Sequence, residues 1–196
     1  ISTNNGILEY FKKSMDEISE KIIENKENLD EYCLKKFINL LINAKKKERI
    51  IFVYGAGRSG FIGRCFAQRL MHLGFNSCFV SDAITYRYTK EDVLIIISGS
   101  GETTSPVAIA KKAREIGGKI VLFTGNPQST IGKISDLSMT IIGKSKDVAT
   151  SQKTYAPYTS LFDISTLAVL DSIGGILMQK LGISEEFIDN YHASIE

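Results

Sequence analysis

The sequence predicts an α/β domain: a doubly wound sheet of five parallel strands, helices on both faces, and a helical extension ahead of the first strand. Three observations predict it. Short, continuous apolar runs recur along the chain, the pattern of strands buried on both faces. Stretches with a three- and four-residue apolar period stand between several of them, each long enough for a right-handed crossover. Glycine-rich turns follow the first and third runs directly.

From the N-terminus, Ile7, Phe11, Met15, Ile18 and Ile22 recur at helical steps, and Leu29, Tyr32, Cys33, Phe37, Leu40 and Leu41 continue the pattern in a second helix. Together they make residues 1–46 an extension whose apolar faces suit covering the sheet or pairing with another subunit. Residues 50–54 then read as the first strand, and 76–80, 93–97, 119–123 and 138–142 as the next four. Helices are predicted over 61–73 and 106–116. Residues 143–158 are polar and irregular, longer than most connections in a domain, as binding loops and lids are. A long helix over 160–180 and a short one over 184–191 complete the chain. The whole reads as one domain of 196 residues, with an α/β core at 47–180 and a C-terminal helix and tail at 181–196.

Composition removes several classes of function. Lys and Arg total 24 against 22 Asp and Glu, an excess too small for a surface that neutralises many nucleic-acid phosphates. Cys33, Cys65 and Cys78 are an odd number at wide spacing, which fits neither a disulfide framework nor a metal-ligand pair. The apolar surroundings of Cys65 and Cys78 predict burial in a reducing compartment. No apolar run is read as approaching the roughly 20 residues of a bilayer span, and no leader opens the chain, so no membrane and a cytoplasmic setting are expected. The chain begins at Ile1, and a little sequence is expected to precede it.

Two loops carry the chemistry. Gly55-Ala56-Gly57-Arg58-Ser59-Gly60 follows the first strand and opens a helix, satisfying G-x-G-x-x-G in its required context, with Asp82 available as the ribose-binding acid of a dinucleotide site. Ser98-Gly99-Ser100-Gly101-Glu102-Thr103-Thr104 follows the third strand with the same ingredients: glycines for close approach, hydroxyls that donate to phosphate oxygens, and a helix N-terminus. A helix cap would use one hydroxyl; four crowd this loop. In strand order 2-1-3-4-5 both loops open at the topological switch point, where ligands bind. One phosphate monoester held between them explains both loops, whereas a dinucleotide explains the first alone. Ser59, Ser98, Gly99, Ser100, Gly101 and Thr103 are the candidate phosphate ligands, and Gly57, Arg58 and Glu102 are candidate substrate contacts beside them.

With Ser59 in a glycine turn after the first strand and Ser98 to Thr103 after the third, the chain resembles the sugar isomerase (SIS) domains. Within them it looks most like the 6-phospho-3-hexuloisomerases, through Gly57-Arg58-Ser59-Gly60, Arg69-Leu70-Met71-His72-Leu73-Gly74-Phe75, Leu161-Phe162-Asp163 and His192-Ala193. The resemblance implies a flavodoxin-like SIS fold and a reaction without cofactor or metal. It also implies a small phosphosugar substrate, here D-arabino-hex-3-ulose 6-phosphate interconverted with fructose 6-phosphate. It further implies a homotetramer in which the tail completes a neighbouring site. Asp163 falls where the family carries its carboxylate base and His192 where it carries a tail histidine. The chain departs from the family at both: Pro157-Tyr158-Thr159 then Asp163 stand where Pro-Met-Gly and a glutamate are usual, and Tyr191 replaces an arginine before the histidine. Read from the residues alone, Asp163 equally suits an acid near a helix N-terminus, and His72 suits a core or interface position. A non-catalytic sugar-phosphate sensor, or an isomerase for another phosphosugar, is the alternative.

Overall fold

The computed structural model describes residues 4–143 and 154–192. The chain forms α1 (Asn4–Asn28), α2 (Glu31–Lys46), β1 (Ile51–Gly55), α3 (Gly57–His72), β2 (Ser77–Phe79), β3 (Val93–Ile97), α4 (Thr104–Ile116), β4 (Lys119–Thr124), α5 (Thr130–Ile134), β5 (Leu137–Thr140), α6 (Tyr158–Leu181) and α7 (Glu185–Asp189). The five strands are all parallel in the order β2-β1-β3-β4-β5. The chain leaves β1 toward one edge and β3 toward the other, so the carboxyl ends of β1 and β3 form the switch point. Gly55 pairs with Ile97, which sets the two predicted glycine loops side by side.

The middle of the sheet is core because β3 is wholly apolar and buried over its full length. One face carries the larger core, where Val53, Ile95 and Phe123 meet Phe37 and Leu41 of α2, Phe66 and Leu70 of α3, and Leu170 and Ile173 of α6. The opposite face packs Phe52, Leu94, Ile96 and Leu122 against Ala110 and Ala113 of α4 and Ile131 of α5. Helices therefore cover both faces. α1 lies outside these layers, along α6. Its Asn25 is buried and bonds both backbone groups of Ile142, donating to the carbonyl at 2.8 Å and accepting from the amide at 2.7 Å.

Several expectations are corrected. Cys65 is exposed and Cys78 half-buried, because α3 buries the stripe Gly60, Gly63, Phe66, Ala67 and Leu70 and turns Cys65 outward with Arg64. A long apolar run does exist: residues Thr159–Leu181 of α6 are long and apolar enough to cross a bilayer. That helix carries Asp163 and Asp171 and buries Leu161, Leu170, Ile173 and Leu177 in the core, which accounts for its apolarity. α5 was not predicted, and the last helix is one short turn. Of the irregular connection, residues 144–153 lie outside the described residues.

α3 starts one residue after β1 ends, and only glycine permits it. A Cβ on Gly60 would stand 2.7 Å from the Gly55 carbonyl oxygen, and one on Gly55 would stand 2.7 Å from the Ser59 carbonyl oxygen. Both clashes are with backbone, which cannot turn away. Gly60→Ala is expected to cost about 1–3 kcal/mol, the range for overpacking. In urea the midpoint should fall with an unchanged m-value; an unchanged midpoint would show that the strand and helix separate freely.

Candidate active site

The first loop is less a loop than the start of a helix. Ala56 is extended, Gly57 takes φ 55°, and the motif through Gly60 is already the first turn of α3. No side chain caps that turn, and the first amides of any α-helix lack an intrahelical acceptor. They open at the switch crevice beside Arg58, which is exposed, and Ser59, which is half-buried.

The second loop is held from behind. The amide of Gly125 and the hydroxyl of Thr124 both donate to the Gly99 carbonyl, at 2.9 and 3.1 Å, and the amide of Ile131 donates to the Gly101 carbonyl at 3.3 Å. Gly101 has φ 66°, and a Cβ there would stand 2.0 Å from Ser129 Oγ. With these carbonyls satisfied on the β4–α5 side, no bond is found, among the described residues, to the amides of Gly99, Ser100, Thr103, Thr104 and Ser105. Several unpaired donors at the start of a thirteen-residue helix form an anion seat by geometry and dipole together. Thr103 occupies the cap position but its hydroxyl makes no cap bond, so it remains available with that of exposed Ser100. Ser98 turns inward: it is 3% exposed, and its hydroxyl accepts from the Gly101 amide at 3.2 Å, shaping the turn from inside.

Glu102 does not cap α4. Its Oε1 accepts from the amide of Thr130 at 2.7 Å, capping the short α5 across the loop from its own helix. Negative charge in the anion seat is thus directed away from it. The bond to Thr130, aided by Lys133, holds the Glu102 carboxyl below its ordinary value.

α6 delivers the third component. Phe162 lies against Gly99, where a Cβ would stand 3.4 Å from the ring. The next residue, Asp163, is 2% exposed. It reaches the first loop: Ser59 Oγ donates to Oδ1 at 3.0 Å and Arg58 Nε donates to Oδ2 at 3.0 Å. A buried carboxylate requires such partners. The Arg58 side chain remains 61% exposed, so much of its guanidinium is open to solvent. The structure therefore joins Arg58, Ser59 and Asp163 beside the Ser98–Thr103 loop.

Other candidates fall elsewhere. His192 lies against His72 with the rings tilted by 31° and their centroids 4.1 Å apart, at the far end of α3. From Ser59 to His72 is thirteen residues of helix, about 20 Å, so within one chain His192 is remote from the crevice. His72 is 6% exposed, the core histidine expected. Asp82, the acid a dinucleotide would need, is paired with Arg64 at 2.7 Å. Sequence reading missed Glu17, Asn25, Thr124 and Ser129; none lies in a local motif, and only the fold brings them to the site's supports.

The SIS domain family matches residues 44–168. A 3-hexulose-6-phosphate isomerase of Bacillus subtilis is 42% identical over 147 residues, 74% of this chain and 80% of that protein. An uncharacterized protein of Archaeoglobus fulgidus is 40% identical over 185 residues, 93% of this chain and 98% of that one. Among solved structures, a Methanococcus jannaschii protein, whose structure led to the inference of a 3-hexulose-6-phosphate isomerase, superposes with a TM-score of 0.79. It is 36% identical, and the match covers 93% of this chain and 98% of that chain.

The bond from Thr130 to Glu102 has a pH signature. A carboxyl lowered in the folded state keeps its contribution above the ordinary value of 4.5 and loses it as pH falls through the lowered one. The Thr130 amide resonance should titrate with a midpoint below 4.5, and Glu102→Gln should abolish the titration. A midpoint at or above the ordinary value would show that the bond does not form in solution.

Proposed function

The chain belongs to the SIS-domain family, and on that premise we propose that it is a phosphosugar isomerase interconverting D-arabino-hex-3-ulose 6-phosphate and fructose 6-phosphate. One observation carries the reading: a buried carboxylate, Asp163, stands beside a preorganised anion seat, both at the switch crevice. Relatives named 3-hexulose-6-phosphate isomerase support the choice of substrate. The phosphate sits on the amides of Gly99, Ser100 and Thr103 and the hydroxyls of Ser100 and Thr103, while Ser98 and Gly101 shape the turn.

Asp163 is the base. From fructose 6-phosphate it takes the C3 proton; the electrons of that bond form the C2–C3 double bond of an enediol, and O2 is protonated. Loss of the O3 proton and return of a proton to C2 give the 3-ketose, with no net change in electrons and no cofactor consumed. Each oxygen of a carboxylate has a second lone pair beyond the bond it accepts from Ser59 or Arg58. The outward face of Arg58 stabilises the oxygen on which charge develops. Aspartate is one methylene shorter than the family's glutamate, and its engagement with Ser59 and Arg58 favours the second reading, a sugar-phosphate binder without turnover.

His192 relays protons between the sugar oxygens, from a neighbouring subunit. Its remoteness from its own crevice supports that reading, as does the unpartnered apolar face of α1, where Ile7, Leu8, Phe11 and Met15 are exposed. The assembly is a homotetramer in which the tail of one chain closes the site of the next, in the cytoplasm.

Incubated with fructose 6-phosphate in deuterium oxide, the protein should exchange the C3 proton, and Asp163→Asn should reduce the rate by at least about 10²-fold, the lower range for general-base catalysis, while sparing binding. Tight binding without exchange would favour the sensor. Mixed and co-refolded Asp163→Asn and His192→Ala chains should regain activity that neither has alone, since a hybrid holds one intact shared site. No regain would place His192 outside the reaction.

A further inference from the structure

α1 grips both ends of the connection between β5 and α6. At the near end, Asn25 pairs with both backbone groups of Ile142. At the far end, Glu17 Oε2 accepts from two consecutive amides, Tyr155 and Ala156, each at 2.8 Å. Ala156 is 1% exposed, and a buried amide needs a partner. Pro157 follows, with φ −55°, as the cap of α6, and it offers no side-chain cap bond. The backbone position at which α6 begins is thus held by a carboxylate from another helix, 138 positions and the whole sheet away in sequence. Asp163 stands five residues into α6, about 8 Å along a rigid helix, and Phe162 beside it contacts the anion loop.

We propose that Glu17 is a positioning residue for the isomerase site, acting through the Tyr155 and Ala156 amides to set where α6 starts and hence where the Asp163 carboxylate stands. Charge-assisted bonds to two amides are stronger than neutral ones, and a carboxylate one methylene shorter than the family's has less reach to absorb a displaced helix. The N-terminal extension is in this account part of the site's frame. The inference rests on the reading of Asp163 as base.

The test combines activity with a readout that needs none. In Glu17→Ala, kcat for C3 exchange should fall at least about tenfold, because a displacement near 1 Å costs up to about 10²-fold. The Kd for fructose 6-phosphate should stay within twofold, because the phosphate seat lies on β3 and α4, which Glu17 does not touch. Glu17→Gln retains an acceptor oxygen and should recover most of kcat. In parallel, the Tyr155 and Ala156 amides should exchange faster with deuterium, and the Arg58 Nε–H resonance, which reports the bond to Asp163, should shift. If Glu17→Ala does not fold, Glu17→Asp serves: it keeps the charge, shortens the reach, and should lower kcat while sparing Kd. An unmoved Arg58 resonance, or a fall in kcat matched by an equal fall in fructose 6-phosphate sites per chain, the mark of lost folded protein, overturns the proposal. Absence of exchange in the unaltered protein would instead overturn the isomerase reading, and the Arg58 resonance would still decide the role of Glu17.

Discussion

The pairing of Gly55 with Ile97 in adjacent parallel strands is the constraint on which the site depends. Neighbouring strands lie about 4.8 Å apart, so two turns leaving them side by side bring two helix N-termini to one crevice. The chain then leaves β1 toward β2 and β3 toward β4, which parts the helices and leaves the crevice open. A slip of one residue between β1 and β3 would turn every side chain of one strand to the opposite face. The mutual close approach of Gly55 and Gly60 and the contact of Gly101 with Ser129 are the local terms that keep both turns tight against the sheet.

Around that crevice, polar groups are held from outside it. The carbonyls of Gly99 and Gly101 are taken by β4 and α5, and Glu102 reaches across to Thr130. Each of these bonds removes an acceptor from the loop, so its amides are left open at the crevice. Preorganised donors need no reorganisation when charge arrives. Asp163 is the counterpart on the other side: buried, it is tolerable only because Arg58 and Ser59 meet both its oxygens. The Ser98–Thr103 loop and Asp163 thus lie on separate elements, β3–α4 and α6, and the packing of Phe162 on Gly99 ties the two together.

How much was legible follows from how local each signal is. The strands were legible because burial on both faces makes them continuous apolar runs. The two loops were legible because glycine and hydroxyl residues at fixed offsets after a strand are a local pattern. The exposure of Cys65 was not, since its apolar neighbours lie on the buried stripe of α3 and it does not. α5 was missed because five residues give too little periodicity to read. Glu17 was invisible among the other acids of α1, and its partners are more than 130 positions away in sequence.

By itself, the sequence determined the class of fold and the two glycine- and hydroxyl-rich loops that follow its strands, because apolar period and turn chemistry act over a few residues. Tertiary structure decided what those residues do to one another. It showed Asp163 neither at a free helix end nor facing solvent but buried on Ser59 and Arg58. It turned Ser98 inward, sent Glu102 to another helix, and left His192 at the wrong end of α3 for its own crevice. These are outcomes of contacts between distant segments, and a carboxylate or hydroxyl finds its partner only when the packing of helices on the sheet has set the distance.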